Sequence, residues 1–196
     1  YVSKKVLREQ FDPRTPQQET YLLCKLQWGK RGLHWKHWVR NGNDWVRNGN
    51  DWVRNGNDWV RNGNDDDTNS HAEVYFLEKI FKLRSSKSCY ITWYLSLSPC
   101  ATCCYRIRDF LKSHPNVNLD IRVARLYKTY LPETRRGLRE LADLRDINHL
   151  ASISPDYNYC WKTFIRRGVD LDFSVFEQVI NKNRWRLSDI LEVSRG

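Results

Sequence analysis

His71 and Glu73 stand two residues apart, and Cys100 and Cys103 stand three apart directly behind Pro99. Imidazole and thiolate are the ligands that zinc favours, and two cysteines at i and i+3 share a helix face, so both sulfurs can reach one ion. One His and two Cys supply three protein ligands and leave the fourth position of a tetrahedral zinc for water, the arrangement of a catalytic rather than a structural site. Glu73 lies beside that position. A carboxylate there can take a proton from water and pass it on, the general acid–base role of a hydrolytic reaction. Each residue also has an ordinary use. Ser70-His71-Ala72-Glu73 has the spacing of a capping box, in which Glu73 bonds back to the Ser70 backbone. A lone C-x-x-C also serves redox pairs and structural zinc sites. Cys104, on nearly the same face as Cys100, could replace Cys103 as the ligand. It is the conjunction that points to catalysis.

For these residues to meet, His71 must open one helix and Cys100 another, packed side by side on one sheet. The pattern supports this. Val74, Leu77, Ile80 and Phe81 share a face and predict a helix over about 71–83 behind Ser70. SCYITWYL predicts a strand at about 88–95, and Ser98-Pro99 opens a second helix, with Ser98 as N-cap and Pro99 at the first helical position, running to about Ser113. Upstream, 20–28 and 33–39 read as a hairpin split by Gly29 and Gly32. Downstream, Val117, Leu119, Ile121 and Val123 alternate with polar residues as a half-buried strand. A loop at 128–134, a helix at about 135–145, a strand near 150–153, a helix from Pro155 to Gly168 and a helical region over about 173–193 complete the chain. Strands alternating with helices after a hairpin predict an α/β sandwich around one mixed sheet.

The chain has 196 residues and a net charge of +10. Residues 1–37 carry eight Lys/Arg against three Asp/Glu, residues 99–140 carry nine against four, and the remainder balances. An excess confined to two segments, one of them starting at the Cys cluster, fits a groove for a polyanion better than an even solubility coat. Cys24, Cys89 and Cys160 sit singly in apolar runs and read as buried small hydrophobes. No apolar run reaches about 18 residues and no leader is visible, which sets the expectation of a soluble protein of the nucleus and/or cytoplasm without membrane contact. WVRNGND occurs four times, over 38–65, inside what reads as a single domain over 1–196. An Asn-Gly step in every copy excludes an amphipathic helix and leaves a loop or a small meander of WVR strands. Its Trp residues, Trp38, Trp45, Trp52 and Trp59, predict a contact with substrate, a second copy of the chain or another protein.

H-x-E … P-C-x-x-C is the signature of deaminases that act on nucleobases, and its spacing favours Cys103 over Cys104. With Phe11-Asp12-Pro13-Arg14, Ile91 to Cys100, Val123-Ala124-Arg125-Leu126-Tyr127 and Tyr157 to Trp161, the sequence resembles the AID/APOBEC polynucleotide cytidine deaminase family over most of its length. The similarity is to the apolipoprotein-B-editing and activation-induced deaminase branch. The resemblance implies a cytidine-deaminase-like sandwich with a five-stranded mixed sheet and about six helices, bound Zn2+, and hydrolytic conversion of cytosine to uracil in single-stranded DNA or RNA. It implies that Arg14 and the loop after Tyr127 hold the strand, that Tyr127 stacks near the target base, that Thr92 and Trp93 line the pocket, and that Ser98 contacts the cytosine edge. Asn41 carries over as a contact to the target nucleotide, with Asn48, Asn55 and Asn62 in identical contexts. Leu97 departs from the family, which has Trp there, and removes an aromatic wall. With the repeat array, that departure motivates an alternative, a weak or inactive zinc-containing protein that binds single-stranded nucleic acid. A deaminase of free nucleosides would not need two basic segments.

Overall fold

The computed structural model describes residues 2–16, 19–29, 34–41, 71–81, 88–144, 147–152, 156–165 and 172–192. Five strands form one mixed sheet: β1 (Thr20–Trp28), β2 (His34–Asn41), β3 (Cys89–Leu95), β4 (Val117–Val123) and β5 (Ile147–Ser152), in the order β2-β1-β3-β4-β5. β1 pairs antiparallel with both β2 and β3, whereas β3 pairs parallel with β4 and β4 with β5. Parallel neighbours require crossovers, and helices supply them. α3 (Ala101–Ser113) joins β3 to β4, and α4 (Pro132–Ala142) joins β4 to β5. α1 (Lys4–Gln10) precedes the sheet, α2 (Ala72–Tyr75) precedes β3, and α5 (Asp156–Phe164) and α6 (Glu177–Glu192) follow it. Among the described residues, the expected five-stranded mixed sheet forms with six α-helices, where about six were expected.

The pleat divides the apolar residues between two cores. Leu22, Cys24 and Leu26 of β1, Ile91, Trp93 and Leu95 of β3, and the alternating Val117, Leu119, Ile121 and Val123 of β4 bury against α2, α3 and α4. Tyr21, Leu23 and Tyr94 point the other way, into a cluster with Leu7 and Phe11 from the α1 region and Trp161 and Phe164 of α5. α6 begins against this second cluster, through Ile180, and ends against the first, through Ile190. Cys24, Cys89 and Cys160 are buried, as their apolar neighbours predict.

Three elements depart from the expectation. The regular helix expected over 71–83 is not what residues 71–81 form, because α2 opens after one turn into a π-helical turn, Phe76–Ile80, closed by the Phe81 N–H donating to the Phe76 carbonyl. The wider turn rotates Phe76 into the core, where its ring meets Trp93 edge-on at 5.3 Å. α3 starts at Ala101, not at Pro99, so Pro99 is not in its first turn. Ser98 is not its cap. The Ser98 hydroxyl accepts from the Tyr127 N–H, and Cys100 caps the helix instead, its sulfur accepting from the Cys103 N–H. α4 starts three residues earlier than its apolar pattern suggests, because Pro132 pre-sets the helical φ at the first position after an extended Leu131. Residues 38–41, the start of the first repeat copy, lie in β2, where Trp38 and Val39 are buried on opposite faces, so Trp38 is a core residue and not the exposed contact expected of it. The later copies, and the contact role expected of them, lie outside the described residues.

Gly137 of α4 fixes how closely α4 approaches α3. A Cβ there would meet Cys104 Cβ at 3.1 Å and Ala101 Cα at 3.2 Å. Both neighbours belong to the first turn of α3, which cannot yield without disturbing the Cys cluster. Gly137→Val is expected to destabilise the fold by about 1–3 kcal/mol, read as a lowered urea midpoint at unchanged m-value.

Candidate metal centre and its surroundings

His71 is the N-cap of α2, with extended backbone, and Cys100 is the N-cap of α3, so two helix starts face one another across the end of β3. His71 Nδ1 lies 3.1 Å from Cys103 Sγ and 3.6 Å from Cys100 Sγ, and the three donor atoms fall within 4.8 Å of one another. Ligands at about 2.0–2.3 Å in tetrahedral array stand about 3.6 Å apart, so the set fits one zinc-sized cation. Cys104 is excluded from it by direction: its thiol points to the Pro99 carbonyl, 3.9 Å away, and is buried by α4. Among the described residues, the donor atoms that converge are those of His71, Cys100 and Cys103.

The close packing of these groups perturbs each of them. A hydrogen bond from the Cys103 thiol, with help from His71, holds the Cys100 thiol down at about 4. The same hydrogen bond, with burial, pushes Cys103 up. The hydrogen bond to the Cys100 sulfur raises His71 against the opposing effect of burial. A coordinating cation deprotonates thiols and removes this conflict. Glu73 is 4% exposed, and burial, opposed in part by its own backbone N–H, lifts its carboxyl to about 7. It stands close enough to Cys103 for a hydrogen bond. Its side chain is thus turned into the cluster, while Ser70, the other half of the expected capping box, lies outside the described residues.

The loop leaving β4 is fastened to the loop leaving β3. The Ser98 N–H donates to the Arg125 carbonyl at 2.8 Å, and the Ser98 hydroxyl accepts from the Tyr127 N–H at 2.9 Å. Ser98 and Tyr127 are therefore brought together two residues before Cys100. Thr92 and Trp93 are not brought together. Adjacent residues of a strand face opposite ways, and Trp93 is fully buried against Phe76 whereas Thr92 lies on the other face, so no single sheet face offers both to a pocket. Leu97 is 8% exposed and belongs to the wall next to the site rather than to open surface. Asn41 ends β2, its backbone paired with Thr20; Asn48, Asn55 and Asn62 lie outside the described residues. Arg14 turns away from the cluster: its guanidinium makes a fork with Asp12, 2.7 Å at the shortest, and lies over the Phe176 ring at 4.9 Å.

Arg125 was given no role by the sequence, and Lys128 none beyond its place in the loop after Tyr127. Arg125 is buried and donates to the carbonyls of Gln10, Asp12 and Thr15 at 2.6–2.8 Å. Burial lowers it to about 10, so it keeps its charge at neutral pH and clamps the α1–β1 loop to the loop carrying Ser98. A charged residue ending an apolar strand was the available signal. Lys128 adopts a left-handed φ of 43°, which turns its ammonium over the Tyr127 ring at 5.2 Å; a single backbone outlier leaves no trace in the sequence.

The comparisons with known proteins agree with this geometry. Residues 50–167 match the family described as APOBEC4-like AID/APOBEC-deaminase. The chain belongs to the AID/APOBEC deaminase family. It is 35% identical over 158 residues to the C-to-U-editing enzyme APOBEC-1 of Mus musculus, covering 79% of this chain and 57% of the relative. The APOBEC-1 of Monodelphis domestica is also 35% identical, over 79% of this chain and 55% of its own length. The DNA dC-to-dU-editing enzyme APOBEC-3 of Mus musculus is 34% identical over 65% of this chain and 30% of its own. The chain thus spans little more than half the length of the APOBEC-1 relatives. For an AID/APOBEC chain with these donors, dialysis against zinc should leave one ion bound per chain. Cys100→Ala and Cys103→Ala should each lose it, and Cys104→Ala should retain it, read by elemental analysis of the purified protein.

Proposed function

We propose that the chain is a zinc-dependent deaminase that converts cytosine to uracil in single-stranded DNA or RNA. The observation that carries this reading is the buried Glu73 carboxyl turned into the His71, Cys100 and Cys103 cluster. A structural zinc site has no use for a buried acid beside its ligands. The names of the APOBEC-1 and APOBEC-3 relatives, which describe C-to-U and dC-to-dU editing, support the base and the product. The strand as substrate rests on the basic segments and on the family, and the same family supports a nuclear and/or cytoplasmic setting.

Bound zinc would supply a Lewis acid that makes water nucleophilic at neutral pH. Glu73 would take a proton from the attacking water and give it to the ring nitrogen as the water oxygen bonds to C4, then take the remaining proton from that oxygen and give it to the amine, so that the C4–N bond breaks and ammonia leaves. Cytosine and water thus become uracil and ammonia, with Glu73 restored. His71, Cys100 and Cys103 hold the centre at two helix starts. Tyr127 offers a half-buried ring and Ser98 a backbone-fastened loop beside it, and we assign them to stacking on and orienting the base. Arg125 keeps that loop and the α1–β1 loop in fixed register.

The test is turnover of cytosine-containing oligonucleotides, with free cytidine in parallel. Wild-type chain should form uracil in the oligonucleotide, and Glu73→Gln should lower the rate by about 100-fold or more while binding the same oligonucleotide. Zinc-replete chain that binds but never forms uracil, or a Glu73→Gln variant as active as wild type, would overturn the reading.

A further inference from the structure

The two basic segments have different fates in the folded chain. In the second, Arg106 pairs with Glu78, Arg108 and Arg136 with Glu140, and Arg122 with Asp120. Arg135 and Arg139 donate to backbone carbonyls, as Arg125 does. Most of that excess is consumed in holding α3, α4 and the sheet together. The start of the first segment behaves differently, although Arg14 further along is paired with Asp12. Lys4, Lys5 and Arg8 are exposed on α1 and make no ion pair among the described residues. They do not simply face solvent, because with Arg14 they line a cleft of about 680 Å³ between α1 and the turn that leads into α6.

The opposite wall of that cleft is apolar. It holds half-buried Phe173, buried Phe176 and Val175, which is 60% exposed. The acids nearby are Glu9, Asp12 and Asp172; Asp12 is held by Arg14, and the Asp172 carboxylate accepts the Ser174 N–H at 2.8 Å. Arg14 is itself placed as a platform, its plane backed by the Phe176 ring at 4.9 Å. Cations along one side, with an apolar wall and a guanidinium plane on the other, match a strand of nucleic acid: phosphates meet Lys and Arg while bases stack on planar or apolar groups. The cleft is also joined to the metal site. Asp12 and Thr15, whose carbonyls Arg125 clamps, line it, and the Arg125 carbonyl holds Ser98.

We propose that the cleft between α1 and the start of α6 is a second contact surface for the single-stranded substrate, with Lys4, Lys5 and Arg8 on its phosphates and Arg14 under a base. This rests on the substrate proposed above, yet its test needs no turnover. In a Glu73→Gln background, affinity for single-stranded DNA and RNA is measured by fluorescence anisotropy over a salt series, with oligonucleotides of about 4 and about 16 nucleotides. Lys4→Gln/Lys5→Gln/Arg8→Gln should weaken binding of the longer strand by about tenfold or more. It should also flatten the plot of log affinity against log salt by about 2, since each lost phosphate contact on a single strand removes about 0.7. The shorter strand should be little affected. The substituted side chains are exposed, so the thermal midpoint should not move and serves as the folding control. An unchanged affinity and salt slope for the longer strand would overturn the cleft as a contact surface, whatever the outcome of the turnover assay. A variant that loses the short strand equally would also overturn it, because the effect would then lie at the metal site. If wild type forms no uracil but the variant still loses long-strand affinity and slope, the cleft stands and deamination falls.

Discussion

The site depends on where α3 is allowed to begin. Its first turn carries Cys103, and the residue before it, Cys100, ends an extended stretch leaving β3 and serves as the cap. A thiolate suits that place. The helix's unpaired N–H groups and positive dipole end favour an anion, so the residue that must be deprotonated to bind metal is also the one that satisfies the helix. His71 occupies the matching position at the start of α2, and the sheet behind both helices brings the two starts together. Parallel pairing of β3 with β4 adds the last condition, because it places the end of β4 beside the end of β3, and with it Arg125 and Tyr127 beside Ser98.

Much of this arrangement was legible in the sequence. Alternation in β4, the aromatic and β-branched run of β3, and the His and Cys spacing gave the sheet and the donor set, because period and spacing are local properties that burial enforces directly. The errors share a cause. Ser98 and Pro99 have the chemistry of a helix start, but Ser98 is taken by a partner 29 residues away, and a tertiary hydrogen bond of that kind has no local signature. The π turn at Phe76 is similar: it forms because Phe76 must meet Trp93, a residue on another element. Thr92 and Trp93 were both carried to one pocket by resemblance, although a strand separates neighbours onto opposite faces.

Charge shows the same limit. A count along the chain finds two equal basic segments, and only the folded structure shows that most arginines of the second, and Arg14 of the first, bind their own protein. Arginine's planar fork suits carboxylates and carbonyls as well as phosphates, so a basic stretch rich in Arg that crosses two helices and a strand is ambiguous. Lys4, Lys5 and Arg8, on a short helix, have no such internal use among the described residues.

All of this stands on His71, Cys100 and Cys103 being the three protein ligands of one catalytic ion, with a light-atom ligand in the fourth place. X-ray absorption at the zinc edge of the loaded chain tests that most directly. The account predicts two sulfur scatterers at about 2.3 Å and two nitrogen or oxygen scatterers at about 2.0–2.1 Å, one of them an imidazole. Three or four sulfurs would bring Cys104 into the site and make it structural, contradicting the account.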